Sequence, residues 1–214
     1  MRYAITDIHG CPQTLRYALD TINYDPAADQ LFFLGDYVDR GPDSQGVIDI
    51  VRDLQAENPA TIALRGNHEE MILDVLNGTR HPWDWEPKAE YMAGFAAWIN
   101  ALPHYHLLPD YILVHAGLNF RAHNPLDDKH AMLWERYWYQ DIDVNRQWLG
   151  TRIIVHGHTP ATMLQTKRDI RDMRMNQYVC IDSGCSQEKE GMGYLTVLNL
   201  DTGEGTFVRR IDKM

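Results

Sequence analysis

The sequence predicts an α/β protein of two stacked sheets with helices outside, and three observations carry that prediction. The first third repeats three times a short apolar run, a tight polar turn and a helix-period stretch. The last third holds apolar runs joined by hairpin turns. Between them, and overlapping both, five apolar runs end in loops that pair a nearby glycine with a side chain able to bind metal.

The elements follow in order. Residues 3–5 read as a strand, and the helix after them is opened by Pro12, whose fixed φ suits a first helical position, with Leu15, Ala18, Leu19 and Ile22 along one face. The second unit has a strand at 31–34 and a turn through 35–42. Its helix buries Val47, Ile48, Val51 and Leu54, with Ser44 or Asp43 as N-cap. The third has a strand at 61–64, the turn Arg65-Gly66-Asn67-His68-Glu69, and a helix through Met71, Ile72, Val75 and Leu76. Further strands are expected at 111–114, 153–155, 178–181, 194–198 and 206–208, with a hairpin turning at 201–204. Residues 78–105 and 127–149 carry the tryptophans outside any strand pattern and read as a helical, aromatic cover, with Trp83 or Trp85 as candidates to wall a cleft. No linker or repeat divides the chain, so residues 1–214 are expected to form one domain.

Composition narrows the function. With 20 Lys and Arg against 30 Asp and Glu the formal charge is −10, which argues against nucleic acid as a partner. The longest apolar run, residues 95–99, is far short of the roughly 20 residues that span a bilayer. The N-terminus has no room for the apolar region of a secretory signal, and three cysteines cannot all pair within the chain, so reduced thiols and a cytoplasmic location are expected.

The loops after the strands carry Asp7 and His9, Asp36, Asn67 and His68, His115, and His158. In an open α/β sheet such loops converge on one crevice. Any one of them alone is a capped turn or a buried imidazole; five in succession call for a common cause. The donors are nitrogen and oxygen with no thiolate, which favours Mn²⁺, with Fe or Zn²⁺ as alternatives. One ion would not use so many. Two ions about 3.5–4 Å apart, sharing a carboxylate, would use them all, in the arrangement suited to in-line attack on phosphorus.

In order and spacing, Asp7-Ile8-His9-Gly10, Gly35-Asp36-Tyr37-Val38-Asp39-Arg40-Gly41, Gly66-Asn67-His68-Glu69, His115-Ala116-Gly117 and Gly157-His158-Thr159 resemble the signature of the phosphoprotein phosphatase family of calcineurin-like metallophosphoesterases. The small bacterial and phage-lambda-type serine/threonine phosphatases are the nearest in size and ending. Thr6 departs from the pattern, which has Gly before the first Asp. The resemblance implies a four-layer α/β/β/α metallophosphoesterase sandwich with a dinuclear site at the strand C-terminal ends. It implies that Asp7, His9 and Asp36 hold one metal, while Asp36, Asn67, His115 and His158 hold the other. His68, oriented by Asp39, would be the general acid for direct attack by a bridging hydroxide. Arg40, Arg65 and Arg136 would bind phosphate. His156 is expected to pack or to support a ligand from behind, and Cys11, Cys180 and Cys185 to pack.

These readings together predict a protein serine/threonine phosphatase, possible activity on phosphotyrosine included, with a phosphorylated protein or peptide as partner, no membrane, and the oligomeric state left open. Symmetrical dinucleoside tetraphosphatases share most of the motifs. Asp39 and Glu69 favour the protein-phosphatase form, and a silent metal-folded binding module would be expected to have lost ligands or His68.

Overall fold

Alternation along short apolar strands decides the architecture, because each strand turns successive side chains to opposite faces. The structure is a computed structural model and describes residues 1–81 and 93–214. Among these, nine strands form two sheets: β1 (Arg2–Ile5), β2 (Gln30–Phe33), β3 (Ile62–Ala63), β4 (Tyr105–Leu107), β5 (Tyr111–Val114), β6 (Ile153–His156), β7 (Tyr178–Cys180), β8 (Tyr194–Asn199) and β9 (Glu204–Arg209). The first sheet has the order β3-β2-β1-β8-β9, and the second β4-β5-β6-β7. β1, β2 and β3 run parallel, as do β5, β6 and β7; β8 runs antiparallel to β1 and to β9, and β4 antiparallel to β5.

Tyr3 and Ile5 of β1, with Leu31 and Phe33 of β2, face one core with α1 (Pro12–Thr21) and α2 (Ser44–Glu57). Ala4 and Phe32 face the other way, into the space between the sheets, where Tyr111, Leu113, Val155 and Val179 meet them. Ile112, Val114 and Ile154 then turn to a third core with Phe120, Trp138 and Leu149. Both faces of each sheet are therefore buried, and the order helices, sheet, sheet, helices is the four-layer fold expected. A one-residue slip of β1 or β5 would exchange its two cores.

Asp43 is the N-cap of α2, accepting from Gly46 N at 2.8 Å. α3 (Asn67–Leu76) and α4 (Ala96–Ala101) follow, then α5 (Lys129–Trp134), α6 (Arg146–Leu149) and α7 (Met163–Asn176). Two elements have no counterpart in the sequence reading. β4 is a three-residue outer strand, and α7 is largely polar, burying only Thr166, Ile170 and Met173. α7 lies against β7 and β9, so it closes the gap between the edges of the two sheets and adds Ile170 and Met173 to the core between them. The tryptophans that fall within the described residues are cover: Trp138 is buried in the 3-10 segment Trp138–Asn145 and stacks on Phe120 at 5.9 Å, and Trp98 Nε1 donates to Gln55. The cleft-wall candidates Trp83 and Trp85, and that part of the cover, lie outside the described residues. No helix among the described residues is long and apolar enough to cross a membrane.

Candidate active site

The strand ends place the site. Asp7 follows β1, Asp36 follows β2, Asn67 opens α3 just beyond β3, His115 follows β5 and His158 follows β6. Of the eight non-glycine residues with positive φ among those described, six belong to these loops: Asp7, His9, Asp36, Asp39, Arg40 and His158. Such conformations cost free energy and persist where surrounding structure imposes them, which here aims polar side chains at one point. Two glycines allow the loops to close. A Cβ on Gly35 (φ 99°) would strike the backbone of Gly66, and one on Gly157 would strike the Asp7 carboxylate and Thr6. Thr6, where the resemblance has Gly, donates its hydroxyl to Asp7 Oδ2 at 2.5 Å and so adds a donor to that carboxylate.

Asp36 sits between two groups of donors. Its Oδ2 is 3.5 Å from His9 Nε2 and 3.9 Å from His68 Nε2, while Oδ1 is 3.5 Å from His115 Nε2. Asp7 Oδ1 is 3.9 Å from His9 Nε2, and Asp7 Oδ2 accepts from the backbone N of His158 at 3.0 Å. His9, Asp36 and His68 form one group with donor atoms within 4.8 Å of one another, and Asp36, His115 and His158 form a second.

The donor set fits metal. His9 Nδ1 lies 2.8 Å from the Val38 carbonyl, and His115 Nδ1 lies 2.9 Å from that of Leu34; a carbonyl only accepts, so each ring carries its proton there and turns the lone pair of Nε2 inward. His115 Nε2 then faces Asn67 Oδ1 at 2.9 Å, two acceptors in contact, with His158 Nδ1 also 2.9 Å from that oxygen. A cation held among them would turn that repulsion into coordination. Burial above all, then the neighbouring His68 and Arg40, holds His9 well below the ordinary imidazole range; burial, His115 and Arg136 push His158 down to about 3. Burial likewise lowers His115. Neutral imidazoles are the form that binds metal. Without a cation, burial, reinforced by Asp7 and Glu69, lifts the Asp36 carboxyl well above its usual range.

His68 differs from the other three. Burial lowers it, but the Asp36 carboxylate and then Asp39 outweigh burial and hold it above the ordinary imidazole range. Its Nδ1 is 3.0 Å from Asp39 Oδ2, and its Nε2 lies 3.3 Å from Arg40 Nη2. Arg136 reaches the other group, donating Nη1 to the His158 carbonyl at 3.0 Å. Two guanidiniums thus stand at opposite ends of the donor cluster. Arg65 does not join them. It is buried, with Nη1 on Glu70 Oε2 and Nη2 on the Asn100 carbonyl, each at 2.7 Å, and it braces α3 against α4. Each terminal nitrogen of its fork already has a protein partner, which sets Arg65 apart from Arg40 and Arg136 as a phosphate ligand.

Glu69 is the residue whose role the sequence reading misjudged. Fully buried, it accepts from the backbone N–H groups of Asp36, Tyr37 and Gly66 at 2.8–2.9 Å, while His68 N donates to Asp36 Oδ1 at 3.0 Å. It clamps the Asp36 loop to the start of α3; the capping pattern from Gly66 to Glu69 was its signal. Asp182 stands near the donor cluster without belonging to any of the five motifs. It is buried beyond β7, accepts from Gly184 N at 2.9 Å, and burial with the nearby charges of Asp7 and Asp36 raises it well above the usual carboxylate range. Like Asp36 it lies just past a strand, with a glycine close by, Gly184 after it where Asp36 has Gly35 before it. His156 packs its ring on Trp138 at 5.2 Å, and burial lowers it to about 4.

Two buried donor groups sharing one carboxylate, at the C-terminal ends of a two-sheet sandwich, define a phosphoesterase fold with room for a dinuclear divalent centre. The chain belongs to the calcineurin-like phosphoesterase family, whose model matches residues 3–190. The symmetrical bis(5'-nucleosyl)-tetraphosphatase of Methylococcus capsulatus is 36% identical over 121 residues, which cover 54% of this chain and 42% of that protein. Serine/threonine-protein phosphatase 1 of Salmonella typhimurium is 42% identical over 73 residues, covering 34% of this chain and 32% of that one. Among solved structures, a provisionally assigned diadenosine tetraphosphatase superposes with a TM-score of 0.70 at 21% identity, covering 97% of this chain and 92% of that chain. The chain thus matches less than half the length of these curated relatives.

These relatives overturn the protein-phosphatase reading of the sequence. Symmetrical tetraphosphatases match over the longer spans, at 32–37% identity. The structure supplies the reason for the error: Glu69 holds backbone amides and Asp39 orients His68, so neither residue reports on the part of a substrate beyond the reacting phosphate.

Proposed function

We propose that this chain hydrolyses the central phosphoanhydride of dinucleoside tetraphosphates, releasing two nucleoside diphosphates. The observation that carries the reading is the set of symmetrical tetraphosphatase relatives, taken with a donor cluster that has a guanidinium at each end, suited to a polyphosphate lying across it. Asp7, His9 and Asp36 would hold one divalent ion, and Asp36, Asn67, His115 and His158 the other, Mn²⁺ being the ion best matched to the nitrogen and oxygen donors. When bound, such ions neutralise phosphoryl oxygens and acidify water for attack. Arg40 and Arg136 orient the phosphates on either side. His68, oriented by Asp39 at its Nδ1, would deliver a proton from Nε2 to the departing diphosphate.

The test is turnover of diadenosine tetraphosphate, a phosphopeptide and an aryl phosphate under one metal and pH, with products separated by chromatography. At least a tenfold higher kcat/KM for the dinucleotide, about 1.4 kcal/mol in transition-state binding, with ADP as the nucleotide product, is expected. Release of AMP and ATP would refute symmetrical cleavage, and a preference for the phosphopeptide would refute the substrate class.

A further inference from the structure

A cavity of about 570 Å³ runs along β4, within the range of small-molecule sites. β4 is the outer strand of its sheet, so one side of its backbone has no strand partner among the described residues. The walls come from His104, Tyr105, His106 and Leu107 on one side and Leu126 and Lys129 on the other. In a chain with 30 acidic residues, none among the described residues lines this cavity. Two other surface cavities differ: one is lined by Glu188, Glu190 and Asp212, the other by Asp128, Glu135 and Asp141.

The groove is tied to the candidate active site at two points. Pro103, at its near end, accepts from Arg65 N at 2.9 Å, immediately before the Gly66-Asn67 loop. Met132, also in its lining, accepts through its carbonyl from Ala116 N at 2.8 Å, next to His115. Its electrostatics suit an anion. Lys129 lines it and has no ion pair among the described residues, while Arg65 and Glu70 neutralise each other at 2.7 Å. Leu107 in its lining is 43% exposed and gives it an apolar wall open to solvent.

Resting on the dinucleotide reading above, we infer that this groove takes one nucleoside diphosphate half of the substrate. Lys129 meets a phosphate beyond the metal-bound pair, and the base lies along Tyr105, Leu107 and Leu126. A ligand of that kind has a charged end and an aromatic end, and the groove offers one cation, Lys129, beside an apolar wall of Tyr105, Leu107 and Leu126.

Two measurements test it. Photolabelling of the Mn²⁺-loaded protein with 2-azido-ADP, followed by peptide mapping, is expected to mark residues 103–107 and 126–132, with ADP protecting them. Leu107→Glu combined with Lys129→Glu is expected to lower the ratio of kcat/KM for diadenosine tetraphosphate to that for an aryl phosphate by at least tenfold, while Leu164→Glu, on the exposed face of α7, leaves the ratio within twofold. Label confined to other peptides, or a ratio unmoved in the double variant, overturns the groove. If the wild-type protein does not cleave the dinucleotide at all, the proposed function fails, and the labelling pattern alone then decides the groove: marking at 103–107 and 126–132 upholds a nucleotide site there, and its absence refutes it.

Discussion

Asp36 meets the two donor groups with different oxygens, Oδ2 toward His9 and Oδ1 toward His115, each at 3.5 Å. Replacing a group that merely supports a metal ligand costs about 10–100-fold in metal affinity or activity, so Asp36→Asn, which weakens both ends at once, is expected to lose more than about 100-fold in kcat. Metal analysis checks the cause: the variant should retain fewer than two ions, and two tightly held ions with normal turnover would refute the shared ligand. His68 makes a graded claim. A general acid matters in proportion to the basicity of the leaving group, and a departing nucleoside diphosphate is far less basic than an alkoxide. His68→Asn should therefore slow hydrolysis of an alkyl phosphate by about 100-fold or more and that of the dinucleotide by clearly less. Equal losses on the two substrates would assign His68 to metal positioning, in keeping with its place beside His9 and Asp36.

At the scale of elements, the loop bearing His115 is fastened from outside. Trp138 donates Nε1 to the Ala116 carbonyl at 3.0 Å, stacks on Phe120 and stands where any Cβ on Gly117 would have to go. Trp138→Phe keeps a ring in that space and loses the hydrogen bond, a cost of about 1 kcal/mol. Trp138→Ala empties it, at about 3–5 kcal/mol. Thermal melts give the two costs, and a metal titration shows whether they reach the site. The alanine variant should bind its second ion more weakly at temperatures where it is still folded, whereas the phenylalanine variant should not.

Across the whole molecule, Arg2 joins parts that are far apart in sequence. From β1 in the first sheet it pairs with Asp110, at the entry to β5 in the second, and with Asp201, in the β8–β9 turn, at 2.7–2.9 Å. Its hydrogen bonds hold the Asp110 carboxyl below the usual range; at Asp201 burial pulls upward, and the bonds to Arg2 outweigh it. Both folded values are thus depressed. The stability they contribute is complete above the unfolded carboxylate pKa of about 3.9 and is lost as pH falls through the folded values. Arg2→Ala should lower Tm near neutrality by a small amount, since exposed pairs are worth about 0.2–1 kcal/mol each. It should also flatten the fall of Tm below about pH 4 at low salt relative to wild type. Parallel acid limbs in the two proteins would show that Arg2 does not perturb these carboxyls.

Much of the fold and the candidate site could be read without coordinates, because the signals are local. Short apolar runs and helix-period stretches set β1, β2, β5, β6 and α1 to α3, and the polar loop after each of five strands named the residues now found facing one another. Local pattern also fails in definite places. β4 has three residues, too few to show a period, and α7 presents Thr166 where its apolar stripe should begin, so both needed a neighbouring sheet edge to exist. Arg65 and Arg40 look alike beside their motifs, yet one is consumed by Glu70 and the Asn100 carbonyl while the other stands at His68. Asp39 and Glu69 mark a motif variant in sequence, but tertiary structure spends them on an imidazole and on three backbone amides. By itself the sequence determined the layered α/β fold and the convergence of nitrogen and oxygen donors at the strand ends, since both follow from residue type and spacing. Which charges remain free around those donors, and where a long substrate has room to lie, were decided only by packing, because they depend on partners distant along the chain.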